Sequence, residues 1–177
     1  AKTSKLIIEQ IESLSNMASE FSNFAKMPED KFEVCDISEI VRNSAELFRQ
    51  SENIDLEANV QPDLYVNADP EQIKRVLNNL LKNAIQAIPD GRRGKIQLQL
   101  RDKGGAEIAT TDNGKGIPKE NYKKVFVPNF STKTSGMGLG LAICRKIVES
   151  AKGQIYFTSE LNKGTTFTIL LPTVEKD

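Results

Sequence analysis

Residues 69 to 88 constrain the fold more than any other stretch of the chain. Asp69-Pro70-Glu71 is a strong helix opening: an N-cap, a proline at the first helical position and an acid near the positive helix end. Val76, Leu77, Leu80, Leu81, Ala84 and Ile85 then supply one apolar face, and Pro89-Asp90-Gly91 closes the helix near Ile88. Such a face needs a second layer. Lys95 to Leu100 alternates as a strand, Glu107 to Thr111 is a less regular one, and Gly104-Gly105 turns between them. Gly138 to Ala151 reads as helix. Ile155 to Ser159 and Thr165 to Leu171 form a last hairpin around Asn162-Lys163-Gly164. Upstream, an extended stretch from Phe32 to Cys35 leads into Asp36-x-x-Glu39, a helix start before Ile40 to Gln50. Ile54 to Val60 and Leu64 to Val66 read as strands split by Gln61-Pro62-Asp63. Residues 112 to 137 are loop-rich, with a short helix near Pro118 to Lys124. Strands that come mostly in hairpins favour an α+β fold, a two-layer sandwich of helices on one sheet face, over a doubly wound parallel sheet.

The first segment is a different kind of helix. Ile7, Ile11, Leu14, Ala18, Phe21 and Ala25 recur at alternating steps of four and three, the seam of a coiled coil or helical bundle, and Pro28 ends the repeat. Packing of a lone amphipathic helix on its own domain is the alternative. The chain starts without Met inside this pattern, which reads as an excised piece of a parent whose membrane anchoring is left open. The expected division is 1–28 as a hairpin helix and 29–177 as the main domain.

Composition narrows the chemistry. Lys plus Arg equals Asp plus Glu at 24 each, so no net field favours nucleic acid or an anionic membrane, and phosphate recognition must be local. No apolar run approaches the roughly 20 residues of a membrane span, and no signal-peptide layout is present. The sequence holds no histidine, which excludes a Ser-His-Asp triad and most zinc chemistry within it. Cys35 and Cys144 are unclustered and read as buried thiols in a reducing compartment, hence a cytoplasmic location.

Three short segments carry the chemistry. Asp112-Asn113-Gly114-Lys115-Gly116 leaves a strand for a loop; its glycines permit positive φ, and a carboxylate at a strand end can accept from an exocyclic amine such as that of adenine. Asp-Asn-Gly is also a common tight turn. Gly136-Met137-Gly138-Leu139-Gly140 stands directly before a helix, where backbone N–H groups and the positive helix end favour phosphate. It has neither Walker spacing nor a preceding buried strand. Asn79 and Asn83, four apart, share a helix face beside the apolar one. A neutral amide oxygen there can ligate Mg²⁺; two solvent-exposed asparagines are the bland alternative.

Together and in this order, these segments resemble the catalytic ATP-binding domain of sensor histidine kinases, in the superfamily that also holds gyrase and heat-shock ATPases. Asn79 to Ala87 resembles its N box and Asp112 to Gly116 its first glycine box. Val125-Phe126-Val127-Pro128-Asn129-Phe130 is similar to its phenylalanine box, Gly136 to Gly140 to its second glycine box, and Gly164-Thr165-Thr166-Phe167 to its terminal motif. The match spans roughly residues 36 to 172 and implies the Bergerat-type sandwich fold.

The resemblance also implies roles. Asn83 holds Mg²⁺ on the phosphates of ATP. Asp112 recognises the adenine amine, supported through water by the Thr165 hydroxyl. Gly114 and Gly116 bring the chain close to the base, with Ile117 beside them. Residues 117 to 137 form a mobile lid hinged by Gly136, Gly138 and Gly140, whose N–H groups, with Met137 and Leu139, meet the phosphates. Lys82 and Lys133 are the cationic candidates. Water-directed ATPases of the superfamily carry a glutamate base where this chain has Asn79, so hydrolysis is expected to be slow and the acceptor to be a histidine. The run from Glu20 to Pro28 resembles the second helix of the dimerisation and phosphoacceptor hairpin of nitrogen-regulation-type kinases. A homodimer through that hairpin and a response regulator partner are implied. Departures are Asn129, where an aromatic residue is frequent, and Thr111, where an apolar one is usual. A water-directed ATPase, an anti-sigma-type serine kinase and a non-catalytic nucleotide-sensing module remain the alternatives.

Overall fold

The computed structural model describes residues 7–8, 10–11, 14–15, 18–19, 21–22, 29–128 and 138–176. The order of its named elements is β1 (Glu33–Asp36), α1 (Ile37–Phe48), β2 (Ile54–Val60), β3 (Tyr65–Ala68), α2 (Pro70–Ala87), β4 (Gly94–Asp102), β5 (Ala106–Asp112), a 3₁₀ turn (Lys119–Lys124), α3 (Gly140–Ser150), β6 (Gln154–Glu160) and β7 (Gly164–Leu171). Before them, the described residues between 7 and 22 are helical, and Ile7, Ile8, Ile11, Leu14 and Phe21 are each more than half exposed.

Local chemistry sets the helix ends. Asp36 caps α1 by accepting from Glu39 N at 3.0 Å, and Asp69 caps α2 by accepting from Glu71 N and Gln72 N. Proline at the start of α2 gives up an N–H that has no intrahelical partner anyway. The helix stops at Ile88, whose ψ of 123° is the extended conformation that Pro89 imposes on the residue before it. The face carrying Ile73, Val76, Leu77, Leu80, Leu81 and Ala84 is buried; each large side chain on it contributes roughly 1.5–3 kcal/mol by leaving water. Leu77→Ala would cost about 2–5 kcal/mol.

The main sheet has the order β2-β4-β5-β7-β6, and β1 pairs with β3 in a separate two-stranded sheet. The β4–β5 and β6–β7 pairs are the expected hairpins. β2 departs from that pattern: it runs parallel to β4, from Ile54 opposite Gly94 to Val60 opposite Leu100, while β3 leaves for β1. The helices cover one sheet face, where Ile96, Leu98, Leu100, Ile108, Ile169 and Leu171 are at most 2% exposed. The other face is polar. Thr111 lies on it and shares a 2.9 Å hydroxyl contact with Thr166 across β5 and β7, so a polar residue before Asp112 is accommodated.

Among the described residues no helix is long and apolar enough to cross a membrane.

Candidate functional site

Cross-strand register makes the helix-facing side of the sheet polar at one end. Ala58, Leu98, Thr110, Phe167 and Phe157 stand side by side across the five strands. One step along lie Leu56, Ile96, Asp112, Thr165 and Ser159. Because side chains alternate faces, both rows point towards the helices. Asp112 and Thr165 are each 5% exposed. The Gly114 N–H donates to Asp112 Oδ1 at 2.8 Å. Burial raises the Asp112 carboxyl above the usual carboxylate range, and the backbone N–H groups of Gly114 and Thr165 pull it partly back. A buried carboxylate held by neutral donors is a strong acceptor for a ligand N–H.

The loop after Asp112 is fixed by its own residues. Asn113 reaches back to β4: its Oδ1 accepts from Lys95 N at 2.8 Å and its Nδ2 donates to Arg93 O at 3.2 Å. A Cβ at Gly114 would sit 2.5 Å from Ala87 O at the end of α2. Gly116 adopts φ +70°, and a Cβ there would collide with the Glu160 carbonyl. The close approach recorded at both glycines is therefore to protein backbone, of α2 and of the β6–β7 hairpin. Lys115 N donates to Ala87 O at 2.9 Å, and Lys115 O accepts from Asn162 N at 2.8 Å.

Asn79, Asn83 and Ala87 are successive one-turn steps along α2, so the stripe they form is about 12 Å long. Its Ala87 end meets Gly114. At the Asn79 end, Asn79 Oδ1 is 3.2 Å from where a Gly140 Cβ would lie, so α3 begins against it. Unlike α1 and α2, α3 has no side-chain cap hydrogen bond from its N-cap residue, and the N–H groups of a helix start are of the kind that favours an anion. Gly138 takes φ +67°, and Leu139 is buried. A cavity of about 460 Å³ opens here, lined by Asn79, exposed Lys82, Arg75 and Gly140. Asn83 is half-buried in the middle of the stripe. Lys133, Gly136, Met137 and Asn129 lie outside the described residues.

The first part of the expected lid, residues 117–128, is tied down. Ile117 N donates to Ser159 Oγ at 2.8 Å, and the Tyr122 hydroxyl donates to the Ser159 carbonyl. Tyr122 meets Phe157 edge-on at 5.1 Å, Phe126 packs on Phe157 and Phe167, and Val125 is buried. Arg145 of α3 lies 5.8 Å over the Phe126 ring.

Residues 68–175, which contain Asp112, the α2 stripe and the start of α3, match the family model described as histidine kinase-, DNA gyrase B-, and HSP90-like ATPase. The chain belongs to this family. Sporulation kinase B of Bacillus subtilis (strain 168) is 33% identical over 172 residues, 95% of this chain and 40% of the relative. Sensor histidine kinase ZraS of Klebsiella oxytoca is 36% identical over 173 residues, 94% of this chain and 37% of the relative. The chain thus spans 40% or less of these two relatives. Among solved structures, the catalytic domain of histidine kinase ThkA matches with a TM-score of 0.70 at 38% identity, over 80% of this chain and 95% of that one. ThkA in complex with response regulator protein TrrA matches with a TM-score of 0.77 at 31% identity, over 96% of this chain and 51% of that one. The chain is thus similar, over nearly the whole of the first of these two structures, to the catalytic domain of a histidine kinase.

Three residues of this domain are not legible as site residues in the sequence. Asn113 is the clamp on β4, hidden inside a motif read for its glycines. Ser159 joins the hairpin to the loop at Ile117, and its only sequence signal is an alternation that puts it on the face of Ile155 and Phe157. Asn78 also lines the cavity beside Asn79, with a buried Oδ1 that has no partner among the described residues.

Proposed function

We propose that the chain binds Mg-ATP between α2 and the polar row of the sheet. It presents the γ-phosphoryl to a histidine borne by a segment other than these 177 residues, which contain none. The observation that carries this reading is the buried Asp112 carboxylate at one end of the Asn79–Asn83–Ala87 stripe, with the uncapped start of α3 at the other. Asp112 takes the adenine amine. The N–H groups from Gly138 to Gly140 and the Lys82 ammonium take the phosphates, joined by Gly136, Met137 and Lys133. Leu139, being buried, contributes through its backbone, and Ile117 borders the base.

The donor set fits a metal brought in by the nucleotide. Among the described residues no group of three His, Cys, Asp or Glu side chains could hold an ion. Mg²⁺ commonly keeps waters and takes substrate phosphates with one or two protein oxygens; the Asn83 amide oxygen supplies such a donor. When bound, the ion neutralises phosphate charge. The residues of this chain position and stabilise charge and make no covalent bond. Asn79 cannot accept a proton from water at neutral pH, which favours transfer to a side-chain nucleophile over hydrolysis.

The wider organisation follows the same reading. Residues 1–28 form one helix of a dimerisation and phosphoacceptor hairpin, a role supported by the exposure of Ile7, Ile11, Leu14 and Phe21, and residues 29–177 form the catalytic domain. A response regulator receives the phosphoryl group on an aspartate, as the pairing of ThkA with TrrA suggests by likeness. ATP use and two free buried cysteines favour a cytoplasmic domain.

The test gives the full-length protein ATP labelled at the γ position. Label that is lost in acid and kept in base is expected, and it should be absent from an Asn83→Ala variant. Acid-stable label, or steady phosphate release without a labelled protein, would overturn the reading.

A further inference from the structure

The Ser159 hydroxyl stands at a junction of three hydrogen bonds. Ile117 N–H reaches its Oγ at 2.8 Å, the Gly164 carbonyl oxygen lies at 3.0 Å, and Thr165 Oγ1 lies at 2.8 Å. A serine hydroxyl has one proton and two lone pairs. A backbone N–H only donates, so Ile117 occupies one lone pair. A carbonyl oxygen only accepts, so the Ser159–Gly164 contact is attractive only if Ser159 places its proton there. One lone pair is left for Thr165, and the Thr165 hydroxyl must therefore donate its single proton to Ser159.

That direction has a consequence one strand away. Thr165 stands directly opposite Asp112 across β5 and β7, on the same sheet face, where side chains of a facing pair lie about 4.5–5.5 Å apart at Cβ. With its proton committed to Ser159, Thr165 Oγ1 offers only lone pairs beside a carboxylate that, ionised, also offers only lone pairs. We propose that Ser159 sets the base preference of the pocket by fixing the direction of the Thr165 hydroxyl, so that the polar row accepts a purine 6-amino group and rejects a 6-oxo group. The inference rests on the placement of the base against Asp112. Ser159 is a positioning residue: it acts through Thr165. Without it, the Thr165 proton turns to whichever acceptor is present, the Asp112 carboxylate or a 6-oxo oxygen, and discrimination relaxes.

The test compares ATP with inosine triphosphate, which carries an oxygen in place of the amine, by calorimetric titration of the 177-residue chain with Mg²⁺ present. In Ser159→Ala the ratio of the two affinities should fall about five- to tenfold, the worth of one hydrogen bond, with the inosine nucleotide binding as tightly as before or more so. Ser159→Thr, which keeps the hydroxyl, should restore the wild-type ratio. A merely structural serine would weaken both nucleotides alike. An unchanged ratio in Ser159→Ala overturns the proposal, provided that Asp112→Asn alters the ratio. If Asp112→Asn leaves the ratio unchanged as well, the base placement itself is wrong. Should Ser159→Ala fail to fold, the near-isosteric Ser159→Cys, whose sulfur is a weak hydrogen-bonding atom, reads the same ratio with the same two outcomes.

Discussion

The two ends of the α2 stripe are built differently. At the Asp112 end the partners are already in place: Gly114 N–H on the carboxylate, Thr165 on Ser159, Ser159 on Gly164 and Ile117. At the Asn79 end, α3 starts without a side-chain cap and Lys82 is exposed on an open cavity. On the proposed reading the first end chooses the ligand, because misplaced polar groups there are costly in a buried setting. On the same reading the second meets the negative charge of the phosphates. Preorganised acceptors give selectivity, whereas exposed cations and helix N–H groups give attraction that says little about the base.

The largest effect should come from breaking the organised end. Asp112→Asn presents an amide N–H to the ligand amine and should weaken ATP binding by about 30- to 100-fold, read by calorimetry, with the circular dichroism spectrum unchanged. A loss below about threefold would make the two ends equivalent. Next comes Gly114→Ala, whose Cβ would lie 2.5 Å from Ala87 O. The loop must shift off α2, and thermal unfolding should show a loss of about 1–3 kcal/mol. An unchanged melting temperature would mean that the packing of this loop is slack.

At the open end the effect should be smaller and conditional. Asn83→Ala should weaken ATP about tenfold with Mg²⁺ present and hardly at all with the metal chelated. Equal losses in both conditions would give Asn83 a packing role only. The smallest effect concerns pH. Burial raises the folded-state pKa of Asp112 above that of an ordinary aspartate in the unfolded chain. Between those two values the folded state holds more protons than the unfolded one, so stability falls as pH rises through that window. The contribution is complete below the unfolded value and lost above the folded one. Asp112→Asn should therefore melt slightly higher than wild type at pH 7, and the gap should close below about pH 4. A gap that widens in acid would contradict the burial of this group.

Much of this was readable in the sequence, for reasons that differ by region. The caps Asp36 and Asp69 and the stop at Pro89 are local, and each element they bound is found within a few residues of its expected limits. The sandwich followed from hairpin punctuation at Gly104-Gly105 and Asn162-Lys163-Gly164. The parallel pairing of β2 with β4 did not, because β3 and α2 intervene and nothing in the Ile54–Val60 alternation names its partner. Ser159 was invisible for the same reason, since Ile117 lies 42 residues away in sequence. The glycines Gly114 and Gly116 suggest close approach of the backbone to a ligand base, whereas the approach the structure records is to protein backbone. What they pass, Ala87 and Glu160, is set by tertiary packing.

The most direct test of the pocket is a crystal structure of the chain with magnesium and a non-hydrolysable ATP analogue. The exocyclic amine of the base is expected within about 2.7–3.2 Å of an Asp112 carboxylate oxygen, with the metal on Asn83 Oδ1 and the phosphates along the start of α3. A nucleotide seated elsewhere, with Asp112 touching only Gly114 and Thr165, would contradict it.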